Sequence, residues 1–188
     1  PVVDTPLMGD LGRRYESRLS PSFVRNTIDN PYLPRSGNRQ TASVQLVGGP
    51  LGGTVSYWRP AMELVHYRPF TRKMALGLRG DFGYIRAFGA TAVVPYYQRY
   101  FLGGENQIRG YNIRTVGPVD VENRAVGGNK YGLFNAEYYF DIGGPLRFLF
   151  FFDAGQAFAE GDSINVKDFR TSTGAELRFI MPVLNVPF

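Results

Sequence analysis

The residues best placed to act are one arginine and two carboxylates. Arg109 lies in Ile108-Arg109-Gly110-Tyr111, where glycine permits a tight turn and apolar residues flank it. A guanidinium buried at such a turn needs carboxylate partners. Glu137 and Asp153 supply them, on the same kind of face of two consecutive alternating segments. Neighbouring antiparallel strands lie about 4.8 Å apart, so one fork-shaped guanidinium can bridge both carboxylates. The chemistry this offers is electrostatic bracing. It can be a plain salt bridge that pins a loop, or a brace through which the loop controls the shape of the molecule.

Other chemistries find little support. His66 is the only histidine and there is no cysteine, so neither a metal site nor a histidine-based catalytic triad is expected. No Gly-x-Ser-x-Gly elbow accompanies His66. Gly48-Gly49-Pro50-Leu51-Gly52-Gly53 lacks the Lys-Ser/Thr of a phosphate-binding loop and reads as a connection between strands. The expectation is therefore a protein that is not an enzyme, with no cofactor and no metal. The net charge is +5, but the cations are dispersed, which fits strand ends and a wet interior and gives no reason to expect nucleic acid.

The elements that must carry these residues alternate with period two, the mark of strands with two unlike faces. In 72–85, Met74, Leu76, Leu78, Phe82 and Tyr84 oppose Ala75, Gly77, Arg79, Asp81 and Gly83. In 131–142, Phe134, Ala136, Tyr138, Phe140 and Ile142 oppose Asn135, Glu137, Tyr139 and Asp141. In 146–158, Leu146, Phe148, Phe150 and Phe152 oppose Arg147, Asp153 and Gly155. In 169–181, the run from Thr171 to Met181 opposes Arg170, Ser172, Gly174, Glu176 and Arg178. Residues 41–47 are a shorter case, and 19–27 and 54–69 are less regular. Pro60 in the last segment suggests an edge, a bulge or a distorted register.

The connections differ in length. Residues 70–71 and Gly143-Gly144-Pro145 read as tight turns, whereas 87–128 and 159–168 are long. Bacterial outer-membrane barrels share this asymmetry. No run is long enough for a transmembrane helix. Periodicity does not say which face is buried: a soluble ligand-binding barrel hides its apolar face, and a membrane barrel exposes it. Crowded outward aromatics, faces mixing Gly and Ala with charge, and strands of a length suited to the apolar band favour the membrane. Trp58 and the many tyrosines fit interfacial girdles or simple strand packing. The stretch 87–128 is apolar and Gly-rich, and a loop of its length is generally functional, so it is expected to fold back on the sheet.

Five motifs, in order, resemble the BamA-like outer-membrane protein assembly-factor superfamily, the C-terminal barrel of the bacterial surface antigen type. Leu102-Gly103-Gly104 followed by Ile108-Arg109-Gly110-Tyr111 is similar to its signature loop. Gly127-Gly128-Asn129 with Glu137, then Phe150-Phe151-Phe152-Asp153-Ala154-Gly155, resemble the next two strands. Thr173 to Pro182 resembles the strand after those, and Asn30 to Gly37 resembles an upstream turn.

The resemblance implies an all-β antiparallel transmembrane β-barrel, with 1–188 as a single barrel domain or its C-terminal fragment and 87–128 as a loop inserted into the lumen. It implies that Arg109 pairs with Glu137 and Asp153 there, and that Gly103, Gly104, Phe151 and Gly155 support the motif. It also implies a bacterial outer-membrane location and the folding and insertion of unfolded outer-membrane clients. Membrane lipid, lipopolysaccharide and accessory subunits bound through periplasmic domains are the further partners implied. Export of a partner protein is the alternative within the superfamily. A full barrel of this kind has about sixteen strands, and the chain shows about seven or eight. A fragment is the expected explanation and a small complete barrel the other. Asn185 to Phe188 reads like the start of another strand.

Overall fold

The computed structural model describes residues 14–181 and 186–187. Pro182, Asn185 and Phe188, which bear on the strand expected at the C-terminal end, lie outside the described residues.

The chain forms one antiparallel sheet. Its segments are β1 (Arg18–Leu19), β2 (Ser22–Asn26), β3 (Gly37–Val47), β4 (Tyr57–Pro69), β5 (Met74–Tyr84), β6 (Arg86–Ala87), β7 (Lys130–Gly143), β8 (Leu146–Phe158), β9 (Arg170–Met181) and β10 (Val186–Pro187). They lie in the order β1-β3-β4-β5-β7-β8-β9-β10, with β2 beside β3 and β6 beside β4. β1 and β2 continue one register along β3, Arg18 opposite Val47 and Ser22 opposite Ser43. Pro21 falls in the interruption between them, on an edge where its missing N–H is tolerated. Six of the segments read from the sequence are thus the six long strands of a meander, and 19–27 is the interrupted pair β1 and β2.

Pro60 proves to be interior. The ladder between β3 and β4 runs through it unbroken, Val44 opposite Pro60. The disturbance falls on its other side, where pairing stops at Ala61–Gly83 and resumes at Trp58–Arg86. A proline ring has no N–H to give that neighbour. Within the same gap, the Ile85 N–H turns away and donates to Asn129 O, at 2.7 Å.

The two faces settle which side is exposed. Phe23, Val44, Met62, Phe82, Phe134, Phe150, Phe152, Leu177 and Phe179 are all exposed. On the opposite face Asp153 is fully buried and Arg147 is 3% exposed. A contiguous exposed apolar surface of this kind marks contact with lipid or protein, and it excludes an apolar ligand-binding interior. Ring contacts lie at both ends of the apolar face, with Phe134 and Phe152 exposed between them. Trp58 meets Tyr84 edge-on at the loop end, and Phe70, Tyr138, Phe140, Phe148 and Phe150 form a chain of ring contacts at the turn end.

The polar face carries its own packing. Tyr67 and Tyr139 lie over Gly77 of β5, where a Cβ would come within 2.8 Å of Tyr67 and 2.9 Å of Tyr139. Large rings fit on this face because glycine sits across from them.

Candidate functional site

Residues 88–129 connect β6 to β7 and lie against the polar face. Within them a narrow ribbon forms from three isolated bridges: Tyr100 with Gly128, Leu102 with Val116, and Gly104 with Ile108. Gly104 N–H donates to Tyr111 O at 2.9 Å, and Gly110 takes φ +82°, the left-handed turn that glycine adopts without strain. This turn aims Ile108 and Arg109 at the sheet. Ile108 is fully buried with Leu102, Val116, Leu133 and Ala157. Gly155 makes room for it: a Cβ there would stand 3.1 Å from Ile108 Cδ1 and 2.9 Å from Gly132 O.

Arg109 is held on every side. Its backbone N–H and Nε donate to Asp153 Oδ2, at 3.0 and 2.8 Å, and Nη2 donates to Asp153 Oδ1 at 2.7 Å. Nη1 donates to Glu137 Oε1 at 2.6 Å and to Glu176 Oε2 at 3.0 Å. The guanidinium stacks 3.7 Å from the centre of the Phe151 ring. Charged, bidentate bonds of this kind are the strong ones, and the burial of Asp153 makes them obligatory. The structure therefore brings Ile108, Arg109, Glu137, Asp153, Phe151 and Gly155 together. Gly103 and Gly104 lie in the stem of the ribbon, and the Tyr111 hydroxyl donates to Thr171 O at 3.3 Å.

Two members of this cluster were not singled out by sequence reasoning. Glu176 contributes a third carboxylate from β9, and Arg178 a second guanidinium that reaches Glu137 at 2.8 Å and Glu176 at 2.6 Å. Their signal was parity: both share the polar face with Ser172 and Gly174. Asn135 also joins, donating to Asp153 Oδ1 and to Gln107 O at 2.8 and 2.7 Å. A separate network holds the loop from β5. Arg79 bonds Glu63 and Asp81, each at 2.9 Å, and donates to Asn106 O at 3.2 Å.

A second clamp closes the turn end. Asp29 accepts backbone N–H bonds from Asn30, Arg35 and Ser36, which shapes the turn between β2 and β3. From that turn Arg35 donates to Thr71 O at 2.7 Å and pairs with Asp141 at 3.2 Å. Arg147 donates to Asp141 at 2.7 Å and to Pro34 O at 3.2 Å, and lies over the Tyr139 ring. The turn thereby reaches from β3 past the β4–β5 hairpin to β7 and β8.

The remaining candidates take no part in either clamp. His66 lies on the apolar face with Nδ1 2.6 Å from Asn38 Oδ1. Gly48 to Gly53 form the β3–β4 connection, with one three-ten turn at Gly49–Leu51.

Known proteins resemble this chain in sequence and in fold. The Omp85 superfamily domain matches residues 7–188. The outer membrane protein assembly factor BamA of Nitratidesulfovibrio vulgaris is 30% identical over 183 residues, covering 94% of this chain and 23% of that protein. BamA of Neisseria meningitidis serogroup B is 28% identical over 142 residues, covering 70% and 17%. The chain thus spans about a quarter or less of these relatives. The crystal structure of BamA from Haemophilus ducreyi lacking POTRA domains 1–3 superposes with a TM-score of 0.74 at 22% identity, over 88% of this chain and 36% of that one. A domain match over nearly the whole chain, with the same fold beneath it, means that this chain belongs to the Omp85 superfamily.

Proposed function

We propose that the chain is a strand-rich part of an outer-membrane β-barrel whose full-length protein folds and inserts other β-barrel proteins. The observation that carries this is the inversion of the two faces: apolar aromatics exposed outside, a charged clamp covered by a loop inside. It is supported by relatives named as outer membrane protein assembly factors. In this reading the polar face is the lumen and 88–129 is a loop folded into it. The short turns face the periplasm and the long connections the outside. The edge strands β2 and β10 pair with further strands, because an open edge has no partners in hydrocarbon. Clients are unfolded β-barrel proteins, received by strand addition at a sheet edge. Accessory subunits and lipopolysaccharide contact the full-length protein. No covalent step is involved.

Arg109 braces the loop against β7, β8 and β9, so that the lumen holds one shape while clients pass. The test is reconstitution of the intact protein in lipid vesicles with a urea-unfolded β-barrel client. Folded client, counted by its altered migration when unheated, should accumulate faster than with empty vesicles. Equal rates would remove the assembly assignment.

A further inference from the structure

The apolar face is not uniform. On β5, β7 and β8 it stays apolar to the turn end, through Met74, Leu76 and Leu78, Tyr138, Phe140 and Ile142, and Leu146 and Phe148. On β2, β3 and β4 it changes character. There the outward residues are Arg25, Asn38, Gln40, His66 and Arg68, all exposed, with Leu64 as the apolar residue among them. The register sets them side by side: Arg25 opposite Gln40, Gln40 opposite Leu64, and Asn38 opposite His66. Asn38 holds the His66 ring. Arg72 and Lys73 follow in the adjoining hairpin turn.

This patch has no internal counter-charge. Among the described residues, Arg25, Arg68, Arg72 and Lys73 form no ion pair, and Arg68 has only the Phe70 ring beside it, 6.0 Å from its guanidinium. The carboxylate of β4, Glu63, faces the other way and is taken by Arg39 and Arg79. Cations without an ion pair at the edge of hydrocarbon snorkel into the headgroup layer, where an anionic lipid stabilises them. Next to the patch, toward the loop end of the same strands, lies a groove of about 640 Å³ lined by Phe23, Ala42, Val44, Pro60, Met62 and Phe82 among others. Ala42 sits between Phe23 and Met62 in one cross-strand row, so the small side chain leaves a depression between large ones. Four residues separate His66 from Met62, about 13 Å along a strand. That distance suits a headgroup at one end and the start of an acyl chain at the other.

We infer that the outward face of β2–β5 binds an anionic phospholipid of the inner leaflet. Its phosphate rests on Arg25, His66 and Arg68, and an acyl chain lies in the groove. The inference rests on the membrane reading and orientation above, which put the turn end at the inner leaflet.

The experiment places the intact protein in phosphatidylethanolamine vesicles containing a photoactivatable phosphatidylglycerol and maps the cross-linked peptides. Cross-links should concentrate at residues 23–25, 40–44 and 62–68. They should fall about fivefold for each arginine removed in Arg25→Gln and Arg68→Gln. Ala42→Trp, which fills the groove and leaves the charge alone, should lower them as well, while labelling of β7 and β8 stays constant. Even labelling over all outward strands, insensitive to these variants, would overturn the lipid site and leave the membrane reading intact. No labelling of β7 or β8 would overturn the membrane reading together with the site.

Discussion

The polar face has two clamps, and they are built differently. At the loop end, Arg109 arrives on a long connection and draws together carboxylates from β7, β8 and β9. At the turn end, Arg35 and Arg147 share Asp141, and the connection that brings Arg35 is only the turn between β2 and β3. The central acceptor is deeper at the loop end, with Asp153 fully buried where Asp141 keeps 24% of its side chain exposed, while the cation is deeper at the turn end, Arg147 at 3% against Arg109 at 13%. The longer tether thus goes with the more deeply buried acceptor. A long tether leaves a loop much freedom to lose, and strong buried bonds are needed to hold it. A short turn is held largely by its own connectivity and can use weaker pairs.

Four measurements test this contrast. Arg109→Ala should have the largest effect, since it strands buried carboxylates; the expected loss is about 3–5 kcal/mol. It should appear as a lower midpoint of heat-induced unfolding in detergent and as cleavage of 88–129 by protease. Arg109→Lys should fall between, because one ammonium cannot reproduce the fork. A midpoint like that of the unaltered protein in both variants would mean that the loop is held by Ile108 packing alone.

Arg147→Ala comes next. It removes a buried cation from Asp141 and Pro34 O and should cost about 1–3 kcal/mol, with faster amide exchange at the turn end and the loop unaffected. A loosened loop would show that the clamps are one unit. Arg35→Ala removes a half-exposed pair and should cost no more than about 1 kcal/mol. A loss equal to that of Arg147→Ala would refute the ranking by burial.

The smallest effect concerns acid. Burial, the largest single influence on the Asp29 carboxyl, pushes its pKa up, but the N–H bonds from Arg35, Ser36 and Asn30 outweigh it and hold the value below the ordinary range. A lowered carboxylate stabilises the fold above the unfolded value of about 3.9 and ceases to do so as pH falls through the folded value. Protection of the amides in 29–36, taken relative to their intrinsic exchange rates, should therefore be flat above about pH 5 and fall only in stronger acid. A loss of protection near neutrality would point to another group.

Much of this was readable from residue order. Period-two alternation located β3, β5, β7, β8 and β9 plainly, because their two faces meet such different surroundings, whereas 19–27 and 54–69 alternated less regularly. Arg109, Glu137 and Asp153 could be named because a Gly-rich turn and buried charge both constrain the choice. The turn-end clamp could not. Arg35 and Arg147 are separated by most of the chain and meet only through the curvature of the sheet, which alternation does not encode. Glu176 escaped for a related reason: strand parity gives its face, but not how far a neighbouring loop reaches across. Pro60 misled because a missing N–H disturbs only one of a strand's two ladders.

The partners of Arg109 have one more property. Glu137, Asp153 and Glu176 follow it by 28, 44 and 67 residues. During synthesis and folding the arginine is made first and its acceptors come later, in that order. Contacts so distant along the chain form late. The complete knot cannot close until β9 has taken its place beside β8, so a closed knot certifies that those strands have paired in register. The loop thus depends on its own sheet for its place: its full set of acceptors exists only once β7, β8 and β9 lie side by side.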